Sequence, residues 1–211
     1  MYQLLGRATS GNVQKVMFLL EELGISYERH DYGRQFENTT TAEYLAMTPT
    51  AKVPTLKDGG VSIWESHAIL RYVAAKEKAS SLYPTDLAAR SQVDRWMDWT
   101  LASLNPVFLA GFRDAKKPEA ERAPDTGKNL AAELKILDGQ LAKSSWVAGD
   151  TLTIADIALG PVVRRCVAFP FGLPPTPGIS AWLERLNARA SFRTATAAGL
   201  AAARHERTRK L

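Results

Sequence analysis

The chain has 211 residues, enough for one large domain or two small ones around a full apolar core. A hydrophobic share of 45% and a charged share of 23% exclude a disordered or fibrous chain. The net charge of +5 is gathered largely in the last residues by Arg204, Arg207, Arg209 and Lys210, so a solvated basic tail is expected and nucleic-acid binding is not.

In chain order, Tyr2–Leu5 is a short strand closed by Gly6. Val13, Val16, Met17, Leu20 and Leu23 then recur at helical spacing, with Gly24 placed to stop the helix. Ile25–Tyr32 is a second strand, parallel to the first because a helix joins them. Pro54–Lys57 and Val61–Trp64 flank Asp58-Gly59-Gly60, a hairpin signal. Ile69, Leu70, Tyr72 and Val73 line one face of the helix that follows. The order β-α-β, a looser segment, then β-β-α predicts an α/β domain over 1–79 with a mixed four-stranded sheet. Residues 80–89 read as a linker, led by Ser80–Asp86. From 90 to 211 the strand signals cease. Helical runs through Val93–Leu104, Leu130–Leu141, Ile154–Val167 and Ile179–Leu186 predict an all-α domain, with Pro106, Pro118, Pro124 and the prolines from 170 to 177 separating its helices.

Cys166 is the lone cysteine, which excludes an internal disulfide framework and fits a reducing compartment. His30, His67 and His205 have no zinc-site spacing, so no metal is expected. The uncharged stretch from Cys166 to Leu183 carries Pro170, Pro174, Pro175 and Pro177, which do not suit a membrane helix. The opening residues lack the pattern of a secretory signal. A cytoplasmic protein without a membrane partner is the expectation.

Four motifs stand out, three of them with a chemical reading. Pro54 in Val53-Pro54-Thr55-Leu56 is either a simple strand-start proline or part of a cis Val53–Pro54 bond that offers the Val53 backbone to an extended peptide ligand. Ser66 is an ordinary N-cap serine or, with Glu65, a clamp for a zwitterionic α-amino acid. In the clamp the helix start and the hydroxyl take the carboxylate and Glu65 takes the ammonium. Ser10-Gly11-Asn12 initiates a helix or sets the Ser10 hydroxyl beside a reactive anion; no nearby base would make Ser10 a nucleophile. Thr153-Ile154-Ala155-Asp156 is a capping box flanked by the staple pair Leu152 and Ile157, and its role is structural.

This ordered set, together with Glu65-Ser66-His67-Ala68-Ile69 and Arg95-Trp96-Met97-Asp98-Trp99, resembles a glutathione S-transferase over nearly the whole chain. The resemblance implies a thioredoxin-like glutathione-binding domain and a helical domain that takes a small hydrophobic electrophile. It implies a cis-proline at Pro54, Val53 as the backbone partner of the cysteinyl unit, and Glu65 with Ser66 on the γ-glutamyl group. Ser10 falls where theta- and delta-like members carry a catalytic serine and beta-like members a cysteine. Asn12 falls where nu-like, disulfide-active bacterial members carry an asparagine, so the subclass stays open. Asn38-Thr39-Thr40-Thr41 and Ala51 depart from the family's usual holders of the glycyl carboxylate, which leaves Lys52 for that task. Asp98 falls where some members offer a polar group to glutathione. Members are usually homodimers, and detoxification is the usual role. The alternatives are glutathione-dependent disulfide or peroxide reduction, or a non-catalytic binding module on the same fold.

The magnitudes permit the implied mechanism. A thiol with pKa about 8.5 must lose roughly two units to be largely ionised at neutral pH, which takes about 2.7 kcal/mol. A hydrogen bond to the charged sulfur supplies about 1.5–3 kcal/mol and a helix start about 0.3–1 kcal/mol. One hydroxyl and one helix suffice. For the electrophile, Phe108, Phe112, Arg113, Arg165 and Phe169 are apolar or cationic candidates that serve equally well as core or surface.

Overall fold

The computed structural model describes residues 1–198, so the expected basic tail from Arg204 to Leu211 lies outside the described residues. The chain divides into two compact units. One holds residues 1–79 together with residues 187–198, and the other holds Ser80–Leu186.

The first unit runs β1 (Tyr2–Leu5), α1 (Gly11–Glu22), β2 (Tyr27–His30), α2 (Ala42–Met47), β3 (Thr55–Asp58), β4 (Val61–Trp64) and α3 (Ser66–Lys76). The strands lie in the order β2-β1-β3-β4. The β1–β2 pair is parallel and the other two pairs are antiparallel, as a βαβ crossover followed by a hairpin requires. This is the expected mixed sheet with helices. Strand β2 is shorter than Ile25–Tyr32 because Ile25 belongs to the end of α1. Its N–H reaches Leu20 O at 2.9 Å and the Gly24 N–H reaches Glu21 O at 3.2 Å, a Schellman closure that uses the left-handed φ of +65° at Gly24.

The segment read as loose contains α2. Thr41 caps it by accepting from the Tyr44 N–H at 3.2 Å, and Tyr44 is its one buried side chain. One anchor in six residues leaves no periodicity to read. Helix α1 is more deeply enclosed than its pattern implied, since every residue from Val13 to Leu20 is buried. It packs against α3, and the late chain segment covers it further. The Phe18 ring meets Phe192 edge-on at 5.2 Å, and Arg189 and Ser191 both donate to the Glu22 carboxylate. The expectation had placed all of 90–211 in the helical domain; these contacts join residues 187–198 to the first unit.

The second unit is helical: α4 (Leu87–Trp99), α5 (Asn105–Asp114), α6 (Thr126–Leu141), α7 (Ile154–Cys166) and most of α8 (Pro177–Ala188). Helix α4 begins inside the expected 80–89 linker because Asp86 caps it, accepting from the Ala89 N–H at 2.8 Å. Pro106 does not separate helices as expected. A π-helical turn over Thr100–Leu104 carries the chain from α4 into α5 with helical backbone angles throughout. A proline has no N–H for the carbonyl four residues back and its ring crowds that carbonyl; one wider turn just before Pro106 relieves both.

Helix α7 lies in the core of this unit. Its capping box is complete, and Asp156 also accepts from the Val147 N–H and from Trp182 Nε1, each at 2.9 Å. Among the described residues no helix is long and apolar enough to cross a membrane.

Candidate functional site

The register of the sheet gathers the chemistry-bearing segments. His30, Leu5, Thr55 and Trp64 form one row across the four strands. The chain leaves β1 from this row toward Ser10, leaves β2 toward Gly33, enters β3 through Val53–Pro54, and leaves β4 into Glu65–Ser66. Four loops distant in sequence thus share one edge of the sheet, at the carboxyl ends of the parallel pair, where α/β folds place ligands.

Ser10 is the residue before α1, with φ −77° and ψ 126°, and its side chain makes no capping hydrogen bond. Its N–H donates to Arg7 O at 3.0 Å and its carbonyl accepts from the Gln14 N–H at 2.9 Å, so the backbone is fixed while the hydroxyl stays out of the helix. At 9% exposure it lies at the boundary between core and solvent. Asn12 is exposed in the first turn. The first N–H groups of α1 have no carbonyl within the helix to accept them, and they add a positive field beside Ser10.

The Val53–Pro54 peptide is cis. The Lys52 carbonyl just before it accepts from the Tyr44 hydroxyl at 2.8 Å, and the Lys52 side chain is exposed. Asn38 serves the loop after β2: its Oδ1 accepts from the Gly33 N–H and its Nδ2 donates to Asp31 O, both at 3.0 Å. Ser66 is not the N-cap that its sequence position offered as one reading. It is the first residue of α3 and is buried, while Glu65 holds the cap with φ 66° and ψ 117°. That conformation is strained for a residue with a Cβ. Arg34, Glu37 and Ala51 also have positive φ, so strain is concentrated around this edge.

Sequence reading missed what lies beneath it. Lys15 on α1 is buried, with Nζ 3.0 Å from Nε2 of His67 on α3, one residue past Ser66. Burial pushes the Lys15 ammonium down to about 7, against the opposing pull of the Glu65 charge. The helical spacing of Val13, Val16, Met17, Leu20 and Leu23 gave Lys15 no role. The signal for its burial was its place between Val13 and Val16 in a helix with no polar stripe. Cys166, by contrast, takes no part in such chemistry, because burial pushes its thiol up to about 12.

In the helical unit, three of the residues named for the electrophile meet. Phe108 lies 6.1 Å from Phe112 and 6.0 Å from Phe169, which in turn meets Phe171 at 5.7 Å. Gly111 admits this packing, since a Cβ there would come within 3.1 Å of the Phe169 ring. Lys116 Nζ sits 4.5 Å over Phe112. Arg113 is exposed on α5, Arg165 half-buried on α7 and Asp98 exposed on α4. Among the described residues no cluster of His, Cys, Asp or Glu could hold a metal ion.

Comparison with known proteins agrees with this geometry. The family model for the glutathione S-transferase N-terminal domain matches residues 2–75, and that for the C-terminal domain matches 68–190. Glutathione S-transferase GstB of Escherichia coli K12 is 34% identical over 200 residues, covering 92% of this chain and 96% of that protein. Glutathione S-transferase F10 of Arabidopsis thaliana is 30% identical, over 87% and 91%. The theta-class enzyme of Xanthomonas axonopodis pv. citri, solved with glutathione bound, superposes with a TM-score of 0.85 at 35% identity, covering 92% and 96% of the two chains. With this fold, this sheet edge and relatives matched along nearly their whole length, the chain belongs to the glutathione S-transferase family.

Proposed function

We propose that this glutathione transferase activates its thiol through Ser10 and the start of α1. The Ser10 hydroxyl donates to the glutathione sulfur, and the first-turn N–H groups with the Asn12 amide favour the same charge. The thiol proton leaves to solvent. The sulfur then forms a bond to an electrophilic carbon as the leaving group departs with its electron pair. Val53 pairs with the cysteinyl backbone, Glu65 takes the γ-glutamyl ammonium, Ser66 and the start of α3 take its carboxylate, and Lys52 takes the glycyl carboxylate. The aromatic cluster around Phe108 and Phe169 supports a small hydrophobic electrophile as second substrate. The family's usual habits support a cytoplasmic homodimer engaged in detoxification, which sedimentation and cell fractionation would test.

One observation carries the reading: a serine in the capping position of α1 whose hydroxyl caps nothing. The test is Ser10→Ala, followed by titration of bound thiolate through its ultraviolet absorbance. The expected result is a thiol pKa about one to two units higher with the dissociation constant for glutathione changed by less than about threefold. An unchanged pKa removes Ser10 from the mechanism. Assaying an aromatic halide beside a mixed disulfide separates thiol addition from disulfide reduction.

A further inference from the structure

The turn that sets Ser10 also sets an arginine. The Arg7 N–H donates to Tyr32 O at 3.2 Å and its carbonyl accepts from the Ser10 N–H, so Arg7 is tied to the loops after both parallel strands. Its side chain crosses toward Gly33. A Cβ at Gly33 would lie 2.8 Å from Arg7 Nη1 and 3.4 Å from Val53, so a residue with a left-handed φ of +83° and no side chain leaves room for the crossing. Arg7 Nε is buried and has no hydrogen-bond partner. Burial and the charge of Arg34 both lower the pKa of the guanidinium. The carboxylate that follows β2, Asp31, is engaged by Arg29. A buried cationic donor with no match is stabilised by an anion placed beside it.

We infer that Arg7 forms a carboxylate-binding subsite beside Ser10 in the glutathione site. The inference rests on the thiol-activation reading above. It lies on the β1–β2 side of the sheet, whereas Glu65 and Ser66 leave from β4 at the other edge, so the γ-glutamyl carboxylate is not its ligand. Two sources present the same chemistry there: the glycyl carboxylate of glutathione, shared with Lys52, and a carboxylate carried by the electrophile. A planar guanidinium takes either in two parallel hydrogen bonds.

The experiment compares Arg7→Gln with the parent on two matched pairs of substrates. One pair is glutathione and its glycyl monoester. The other is a nitro-activated aryl chloride bearing a carboxylate and the corresponding carboxamide. If the ligand is the glycyl carboxylate, the variant raises KM for glutathione about ten- to a hundredfold and leaves KM for the ester unchanged. If it is the electrophile's, kcat/KM falls by a similar factor for the acid alone. Both outcomes support the subsite. An equal change within each pair, or no change, overturns it. Because each comparison is made within one variant, loss of folded protein cancels. A parent that binds no glutathione would overturn the thiol-activation reading; a parent that binds it while Arg7→Gln treats each pair alike overturns the subsite alone.

Discussion

At the start of α7, Thr153 accepts from the Ala155 N–H at 3.3 Å while Asp156 takes the Thr153 N–H at 2.9 Å; at the start of α1, Ser10 also has an extended backbone but makes no side-chain cap bond. The interiors differ in the same sense. Helix α7 buries Asp156 and surrounds it with donors from Val147, Thr153 and Trp182, whereas α1 buries Lys15 with one hydrogen bond, to His67. A helix start that satisfies itself is finished as structure. One whose serine makes no cap bond forgoes that stability, and under the proposed mechanism its hydroxyl serves the glutathione sulfur instead.

The sharpest way to break this contrast is Asp156→Ala. It strands buried donors on three residues and should lower the unfolding free energy by at least about 3 kcal/mol in denaturant titration. A loss under about 1 kcal/mol would mean that the box is ornamental. Lys15→Met should act in the opposite direction and stabilise the protein by a few kcal/mol near neutral pH. The sign follows from its lowered pKa. Between about 7 and the ordinary lysine value of 10.5 the unfolded chain binds more protons, so native stability rises with pH and the penalty is full only below 7. The gain from Lys15→Met should therefore shrink between pH 7 and pH 10. A gain independent of pH would deny that a buried charge is its cause.

Thr153→Ala should cost about 1 kcal/mol, the usual value of a cap. Ser10→Ala should cost less than about 0.5 kcal/mol, since no cap bond is lost, yet slow thiol addition about ten- to a hundredfold. Equal stability losses for the two alanine variants would erase the distinction. Cys166→Ala should leave turnover unchanged, and Cys166 should resist alkylation in the native state.

How far these features were legible differs by kind. The strands, α1 and α3 were readable because alternation, helical spacing and Gly24 all agreed. The capping box at Thr153 was readable because both partners lie within four residues. Helix α2 was not, having only Tyr44 to anchor it. Neither was the π turn, since Pro106 reads as a break unless the preceding turn is known to widen. Val53, Pro54, Glu65 and Ser66 stood out through order and spacing, but nothing local told an ordinary strand-start proline from a cis one. Lys15, His67 and Arg7 were invisible for a common reason. Each acquires its meaning from a segment distant in the sequence: α3 for Lys15, α1 for His67 and the loop at Gly33 for Arg7.

The contact of Phe192 and Arg189 with α1 carries a consequence for biosynthesis. During translation α1 emerges early, whereas the ring that shields Phe18 and the guanidinium that neutralises Glu22 emerge only after the helical unit has been made. The nascent first unit must therefore wait with one flank bare, and its last layer closes only when the far part of the polypeptide folds back.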